Sequence, residues 1–104
     1  MLNMAVALSL RSTLLSVLPN HRSEASVLIK WPNDVVLWHA PTHRKCAGIL
    51  VEHVWRGSEW THAVIGIGAN VSSQRLTRSY RAVSLLAAWQ VTMYPISLAH
   101  RLAA

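Results

Sequence analysis

Lys45 is the residue whose type and position most clearly suggest chemistry. It opens an apolar run, residues 45–52 (KCAGILVE), that predicts a buried strand. A buried strand has no structural use for an unpaired ammonium, because desolvating a charge is costly. Such a lysine is expected at the mouth of a strand, facing a carboxylate or phosphate that gains charge during a reaction. The alternative is that the aliphatic part of the Lys45 side chain lies along the sheet edge and its amine is in water. The spacing of the residues does not decide between a functional and a structural lysine.

A second polar group lies just upstream, in residues 30–34 (KWPND). Pro32 predicts a rigid turn that leaves Asn33 and Asp34 at the end of a strand. Two polar clusters that border apolar strands are typical of a small-molecule site on a sheet. On the sequence alone, hydrogen bonds within the turn are the favoured role of this amide and this carboxylate.

The last predicted strand ends in two glycines, Gly66 and Gly68, followed by Asn70. Glycines at a strand end allow a ligand or another strand to approach the backbone closely. Asn70 could equally finish the strand, because asparagine tolerates left-handed geometry. A dinucleotide loop is only weakly indicated, because the third glycine and a following helix are missing.

Metal and thiol chemistry receive less support. His39, His43 and Cys46 have a spacing that zinc ligands also show, but no fourth ligand is evident, and no metal site is predicted. Cys46 is not predicted to be a nucleophile, because apolar neighbours imply burial, and burial raises the pKa of a thiol. No Ser-His-Asp set can be assembled from the sequence.

The elements that must position these residues are a leading helix, four strands and two short helices. Apolar spacing predicts the first helix at residues 2–18. Strands are predicted at residues 26–31, 35–38, 45–55 and 60–67, and later helices at 82–90 and 96–104. Residues 39–44 are predicted as a polar loop, and residues 63–67 as the central part of the sheet, because they are apolar on both faces. His53 and His62 are expected to pair across two strands. The predicted fold class is α+β, with a mixed, mostly antiparallel sheet packed with helices.

Composition limits the classes of protein and of partner. The 104 residues suffice for one small domain, and 52% hydrophobic residues provide a core. The net charge of +6 favours anionic partners without choosing among them. Arg75, Arg78 and Arg81 could line a helix face, but a solvated loop is favoured, and nucleic acid is not the expected partner. No apolar run reaches the roughly 18 residues of a membrane span.

The cysteine count and the first residues bear on location. A single cysteine, Cys46, excludes an internal disulfide and suits a reducing compartment, so a cytoplasmic location is predicted. The first 19 residues contain Arg11, several serines and no acid, which is also the composition of an organelle transit peptide. A mitochondrial location is therefore the alternative, although a helix of the domain is the favoured interpretation.

Three motifs, in the same order, resemble the biotin–protein ligase family: residues 30–34 (KWPND), 45–52 (KCAGILVE) and 64–70 (VIGIGAN). The resemblance covers residues 2–89 and implies the class II synthetase-like catalytic fold of biotin and lipoate ligases. The family's upstream Gly-Arg-rich loop and the small C-terminal β-barrel of many members have no counterpart in residues 1–104. The resemblance therefore implies a partial catalytic domain with little ligase activity alone.

The activity implied by this resemblance joins biotin to ATP, giving biotinyl-5'-AMP, and then transfers the biotinyl group to a lysine of a biotin carboxyl carrier domain. Lys45 would be the catalytic lysine, between the biotin carboxylate and the α-phosphate. Asn33 and Asn70 would hold the adenylate, and Asp34 would lie beside the reacting carboxylate and help place Mg²⁺. Close approach of biotin and the nucleotide would be allowed by Gly48, Gly66 and Gly68.

Other functions stay open on the sequence. The chain could be a non-catalytic remnant that binds a nucleotide, or a half-domain that pairs with another chain through an exposed sheet edge. A homodimer is a further expectation. A basic nucleic-acid-binding module is supported only by net charge.

Overall fold

The computed structural model describes residues 2–20, 22–72 and 82–103. Three helices, α1 (Leu2–Leu15), α2 (Leu85–Trp89) and α3 (Pro95–Ala103), accompany four strands. The strands are β1 (Val27–Lys30), β2 (Asp34–His39), β3 (Thr42–Arg56) and β4 (Glu59–Ala69), and a single 3₁₀ turn (Glu24–Ser26) precedes β1. The strands form one antiparallel sheet in the order β1-β2-β3-β4. The predicted α+β class is confirmed, and the sheet predicted as mixed and mostly antiparallel is antiparallel throughout its four described strands, with a separate parallel bridge between Lys45 and Ala82.

The hydrophobic core lies between the helices and one face of the sheet. Alternate residues of each strand point to this face, and they pack with apolar side chains from all three helices: Ala7, Leu10, Leu14, Val27, Val35, Leu37, Ala47, Ile49, Leu85, Ala88, Trp89 and Leu98. The intervening residues form the opposite face, on which Leu50 and Val64 are 60% and 54% exposed. That opposite face is therefore accessible to a ligand.

Helix α1 is part of this core, as predicted. Arg11 links it to the sheet by donating hydrogen bonds to the carbonyls of Val27 (2.8 Å) and Glu24 (3.0 Å). The helix is three residues shorter than predicted, because the backbone tightens after Leu15 into shorter-range bonds such as Val17 N to Leu14 O (3.1 Å).

The short helix α2 begins later than predicted. The buried Ser84 caps it, since its hydroxyl accepts a hydrogen bond from Ala87 N at 3.1 Å. Gln90 ends it in a left-handed conformation with φ of 56°. Residues 82–84 are extended instead, and Val83 N donates to Lys45 O at 2.9 Å. This contact ties the segment before α2 to the strand that carries the lysine.

Two details of the predicted sheet are wrong. The loop predicted at residues 39–44 is too long, because β2 runs to His39 and β3 starts at Thr42, with these two residues paired and only residues 40 and 41 left as the turn. Polar residues are compatible with strands here, since one face of the sheet is exposed. Strand β4 is not central either, because each hairpin adds its new strand at the growing edge, and β4 lies last in the described sheet. An apolar sequence indicates a strand but does not determine whether that strand lies in the centre or at the edge of the sheet.

The predicted His53–His62 pair is also wrong. His53 lies opposite Ala63, and His62 lies opposite Val54, so the two imidazoles are one residue out of register. His53 Nδ1 instead accepts a hydrogen bond from Trp60 Nε1 at 3.0 Å.

Among the described helices, none is long and apolar enough to cross a membrane. Arg75, Arg78 and Arg81 lie outside the described residues.

Candidate functional site

A row of four paired residues crosses the exposed face of the sheet. Lys30 pairs with Asp34, Asp34 with Gly48, and Gly48 with Gly68. Directly paired residues in an antiparallel sheet share a face. The row therefore has charged side chains at one end and glycine backbone at the other. Lys30 and Asp34 lie at one end of the row, and Gly48 and Gly68, which we call the glycine floor, lie at the other.

Lys45 reaches this row because β3 contains a bulge. The register shifts so that Val35 pairs with Ala47 and Val36 with Lys45, which leaves Cys46 as the extra residue. In a regular strand, residues 45 and 48 would point to opposite faces. The bulge reverses the alternation and places Lys45 on the same face as Gly48.

The lysine forms an ion pair at the edge of the floor. Its Nζ lies 3.2 Å from Asp34 Oδ1, and the two side chains are 47% and 31% exposed. A pair this exposed contributes about 0–1 kcal/mol to stability. The weak ion pair therefore leaves the ammonium available to an anionic ligand.

The glycines make room for this arrangement in different ways. A Cβ on Gly48 would lie 3.1 Å from both Cε and Nζ of Lys45, so a larger residue would require the end of the lysine side chain to shift. A Cβ on Gly66 would make ordinary contacts with Leu50 at 3.8 Å and 3.9 Å, and one on Gly68 would meet nothing within 4 Å. Gly68 therefore leaves space that the described protein does not fill.

These residues line one open depression of about 590 Å³. Six of the seven predicted site residues line it: Asn33, Asp34, Lys45, Gly48, Gly66 and Gly68. The apolar residues Ile49, Leu50 and Ile67 complete the lining and were not foreseen as site residues. The arrangement can hold a flat, partly apolar molecule against the backbone, with an anionic group at the lysine.

Asn70 is the exception among the predicted residues. It follows β4 two residues beyond Gly68 and does not line the depression. Its described bonds are made by the backbone, because Asn70 N donates to Cys46 O (2.7 Å) and its carbonyl accepts from Leu85 N (3.0 Å). Its predicted contact with the adenylate stays a prediction.

One neighbour of the site was missed by sequence reasoning. Asn3, in the first turn of α1, donates from Nδ2 to Asn33 Oδ1 at 3.1 Å. The backbone of Asn33 is also held, because its carbonyl accepts from Ile49 N at 2.8 Å. No spacing in the sequence connects residues 30 positions apart, so only the folded chain reveals the contact.

The residues with zinc-like spacing lie in different surroundings. Cys46 is fully buried in the core, whereas His43 stacks edge-on against Trp38 with ring centroids 5.2 Å apart. Within residues 2–20, 22–72 and 82–103, no three His, Cys, Asp or Glu side chains are grouped as metal ligands.

Burial also determines the chemistry of the thiol. Desolvation raises the pKa of Cys46 from 9.0 to about 12, so the thiol is protonated at neutral pH and is a poor nucleophile. Above pH 9 the unfolded chain loses this proton while the folded chain keeps it. We therefore expect stability to fall with rising pH, by about 1.4 kcal/mol per pH unit from this group between its two pKa values.

Urea unfolding at pH 8 and pH 10 measures this effect. The comparison is with Cys46→Ala, because subtracting its pH dependence removes the contributions of lysine and tyrosine. Equal pH dependence in the two proteins would contradict the assignment.

Comparison with known proteins identifies the family of the chain. Residues 1–70 match the model of the biotin/lipoate A/B protein ligase family. The chain belongs to this family. It is also similar to the bifunctional ligase/repressor BirA of Escherichia coli (strain K12), with 42% identity over 53 residues. The match covers 51% of the present chain and 15% of that relative. The family match includes α1, all four strands and every predicted site residue, and it confirms the family that the three motifs resemble.

Proposed function

We propose that this chain carries the adenylate-forming part of a biotin–protein ligase, which activates biotin with ATP and transfers it to a lysine of a biotin carboxyl carrier domain. The proposal rests chiefly on one observation: the Lys45 ammonium stands over the glycine floor, 3.2 Å from a carboxylate of the same depression. Family membership supports a ligase-type reaction, and the class II synthetase-like fold is part of the proposal.

In the first step, a carboxylate oxygen of biotin attacks the α-phosphorus of ATP, and pyrophosphate leaves. Two anions must approach each other, which is unfavourable unless a cation lies between them. Lys45 supplies that cation, and its ion pair with Asp34 keeps it at the edge of the floor. Gly48 leaves the lysine room, and the open space at Gly68 accepts the body of the ligand.

In the second step, the amine of the acceptor lysine attacks the carbonyl carbon of biotinyl-5'-AMP, an amide forms, and AMP leaves. The uncovered face of the sheet lets a carrier domain approach the adenylate. Asp34 is the carboxylate of the depression that would bind Mg²⁺, which commonly uses one or two carboxylates with substrate phosphates. The metal would neutralise phosphate charge.

Ligand-dependent melting tests the proposal. At concentrations about 100-fold above Kd, biotin with MgATP should stabilise the chain by about 2.7 kcal/mol and raise Tm by about 10 °C or more. Lipoate with MgATP is the matched comparison, because the family includes ligases for both acids. A larger shift with lipoate would assign the other substrate, and no shift with either would refute the proposal.

Pyrophosphate release separates catalysis from binding. Release that requires both biotin and ATP supports the enzyme. A thermal shift without pyrophosphate release supports the alternative that the chain is a non-catalytic remnant that binds the nucleotide.

A further inference from the structure

The contact between Asn3 and Asn33 has a chemical consequence for the depression. An amide side chain presents an acceptor oxygen on one side and two N–H donors on the other. Asn3 Nδ2 uses the oxygen of Asn33 at 3.1 Å, so the donor side of Asn33 is left for other partners. Within the described residues, no hydrogen bond from Asn33 Nδ2 to the protein is found.

We propose that Asn3 is a positioning residue, which fixes the orientation of the Asn33 amide so that the depression presents N–H donors to its ligand. Asn33 lines the depression, whereas Asn3 acts on it from helix α1. This inference rests on the proposed function, because it assigns the oriented amide to the oxygen atoms of an acyl-adenylate.

The charges of the depression agree with that orientation. The neighbouring Lys45 is also a donor, and the carboxylate of Asp34 already faces its ammonium at 3.2 Å. Donors from residues 33 and 45 therefore border the same space and favour a ligand that is rich in acceptor oxygens. If the Asn33 amide were turned over, its oxygen would repel a phosphate or a carboxylate.

The backbone makes this arrangement sensitive to a single side chain. The carbonyl of Asn33 is held by Ile49 N at 2.8 Å, which fixes the position of the residue but leaves its amide free to rotate. The bond from Asn3 Nδ2 is the described hydrogen bond of that amide, and it occupies the oxygen of Asn33. Helix α1 therefore contributes to ligand selection as well as to the core.

A double-mutant cycle tests the proposal, with Asn3→Leu and Asn33→Ala alone and combined. The probe is a non-hydrolysable biotinyl-adenylate analogue, and the readout is Kd by calorimetry. We expect Asn3→Leu to weaken binding by about 3- to 10-fold, the range of one neutral hydrogen bond. Combined with Asn33→Ala, it should cause no further loss, because its effect acts through that amide. Additive losses would overturn the proposal.

Two further variants separate positioning from stability. Asn3→Asp offers only acceptors, so it should attract Asn33 Nδ2, turn the amide oxygen toward the ligand and weaken binding at least as much as Asn3→Leu. Ser12→Leu, at an exposed position of the same helix, should leave Kd unchanged. If Ser12→Leu weakens binding equally, the effect belongs to the helix surface.

The side-chain amide signals of Asn33, followed by ¹⁵N NMR in the free protein, give a readout that needs no ligand. They should shift in Asn3→Leu and stay in place in Ser12→Leu. Unchanged signals would overturn the proposal even if the analogue binds. Shifted signals in a chain that does not bind the analogue would support the Asn3–Asn33 contact and refute the proposed function instead.

Discussion

Replacement of Lys45 by methionine should weaken the binding of biotinyl-5'-AMP by about 10- to 100-fold, because a charge-assisted hydrogen bond contributes about 1.5–3 kcal/mol. Methionine keeps much of the length of the stem but removes the charge. The free energy of unfolding should change by less than about 1 kcal/mol, since the ion pair with Asp34 is partly exposed. Calorimetry with the adenylate and urea unfolding measure the two effects separately.

The matched control is Lys30→Met, which removes the same charge from the same row of the sheet. Lys30 lies opposite Asp34 but does not line the depression. A similar loss of affinity in both variants would mean that general attraction, and not a contact with Lys45, accounts for binding. Marked destabilisation by Lys45→Met would show that the lysine is structural.

Lys45→Arg separates the effect of the charge at residue 45 from the effect of the shape of the side chain. Arginine retains the charge, but its planar fork cannot replace a compact ammonium over Gly48. We therefore expect adenylate binding to recover in part, and pyrophosphate release to stay below that of the unmodified chain.

Replacement of Gly68 by valine should also weaken adenylate binding by about 10- to 100-fold, as expected when bulk is added to a filled site. The protein itself should tolerate the change, because no described atom lies within 4 Å of the added Cβ. Valine is favoured in strands, so the free energy of unfolding should stay the same or increase. Loss of binding with retained stability would therefore report on the ligand.

Val64→Ile is the matched control for this variant. It adds apolar bulk to the same face of β4 at an exposed position outside the depression. Its affinity for the adenylate should equal that of the unmodified chain. Unchanged binding by Gly68→Val would place the ligand elsewhere and contradict the proposed use of the glycine floor.

Local sequence patterns were sufficient to predict most of the helices and strands. Strands were predicted on both sides of the β3–β4 turn, which Gly57 and Ser58 form with a φ of +63° at Gly57. Strand β1 and helix α3 agree with their predicted positions to within about one residue at each end. The three motifs were sufficient to recognise the family, which the family match confirms.

By itself, the sequence determined which residue types were available for the site and which segments carry them, because turns, caps and apolar periodicity act over a few residues. Tertiary structure decided how they meet. The bulge at Cys46 brings Lys45 onto the face of Gly48, and pairing order leaves β4 at the edge. Asn3 reaches Asn33 across 30 residues. Such contacts depend on register and on the packing of distant elements, and no local pattern encodes either.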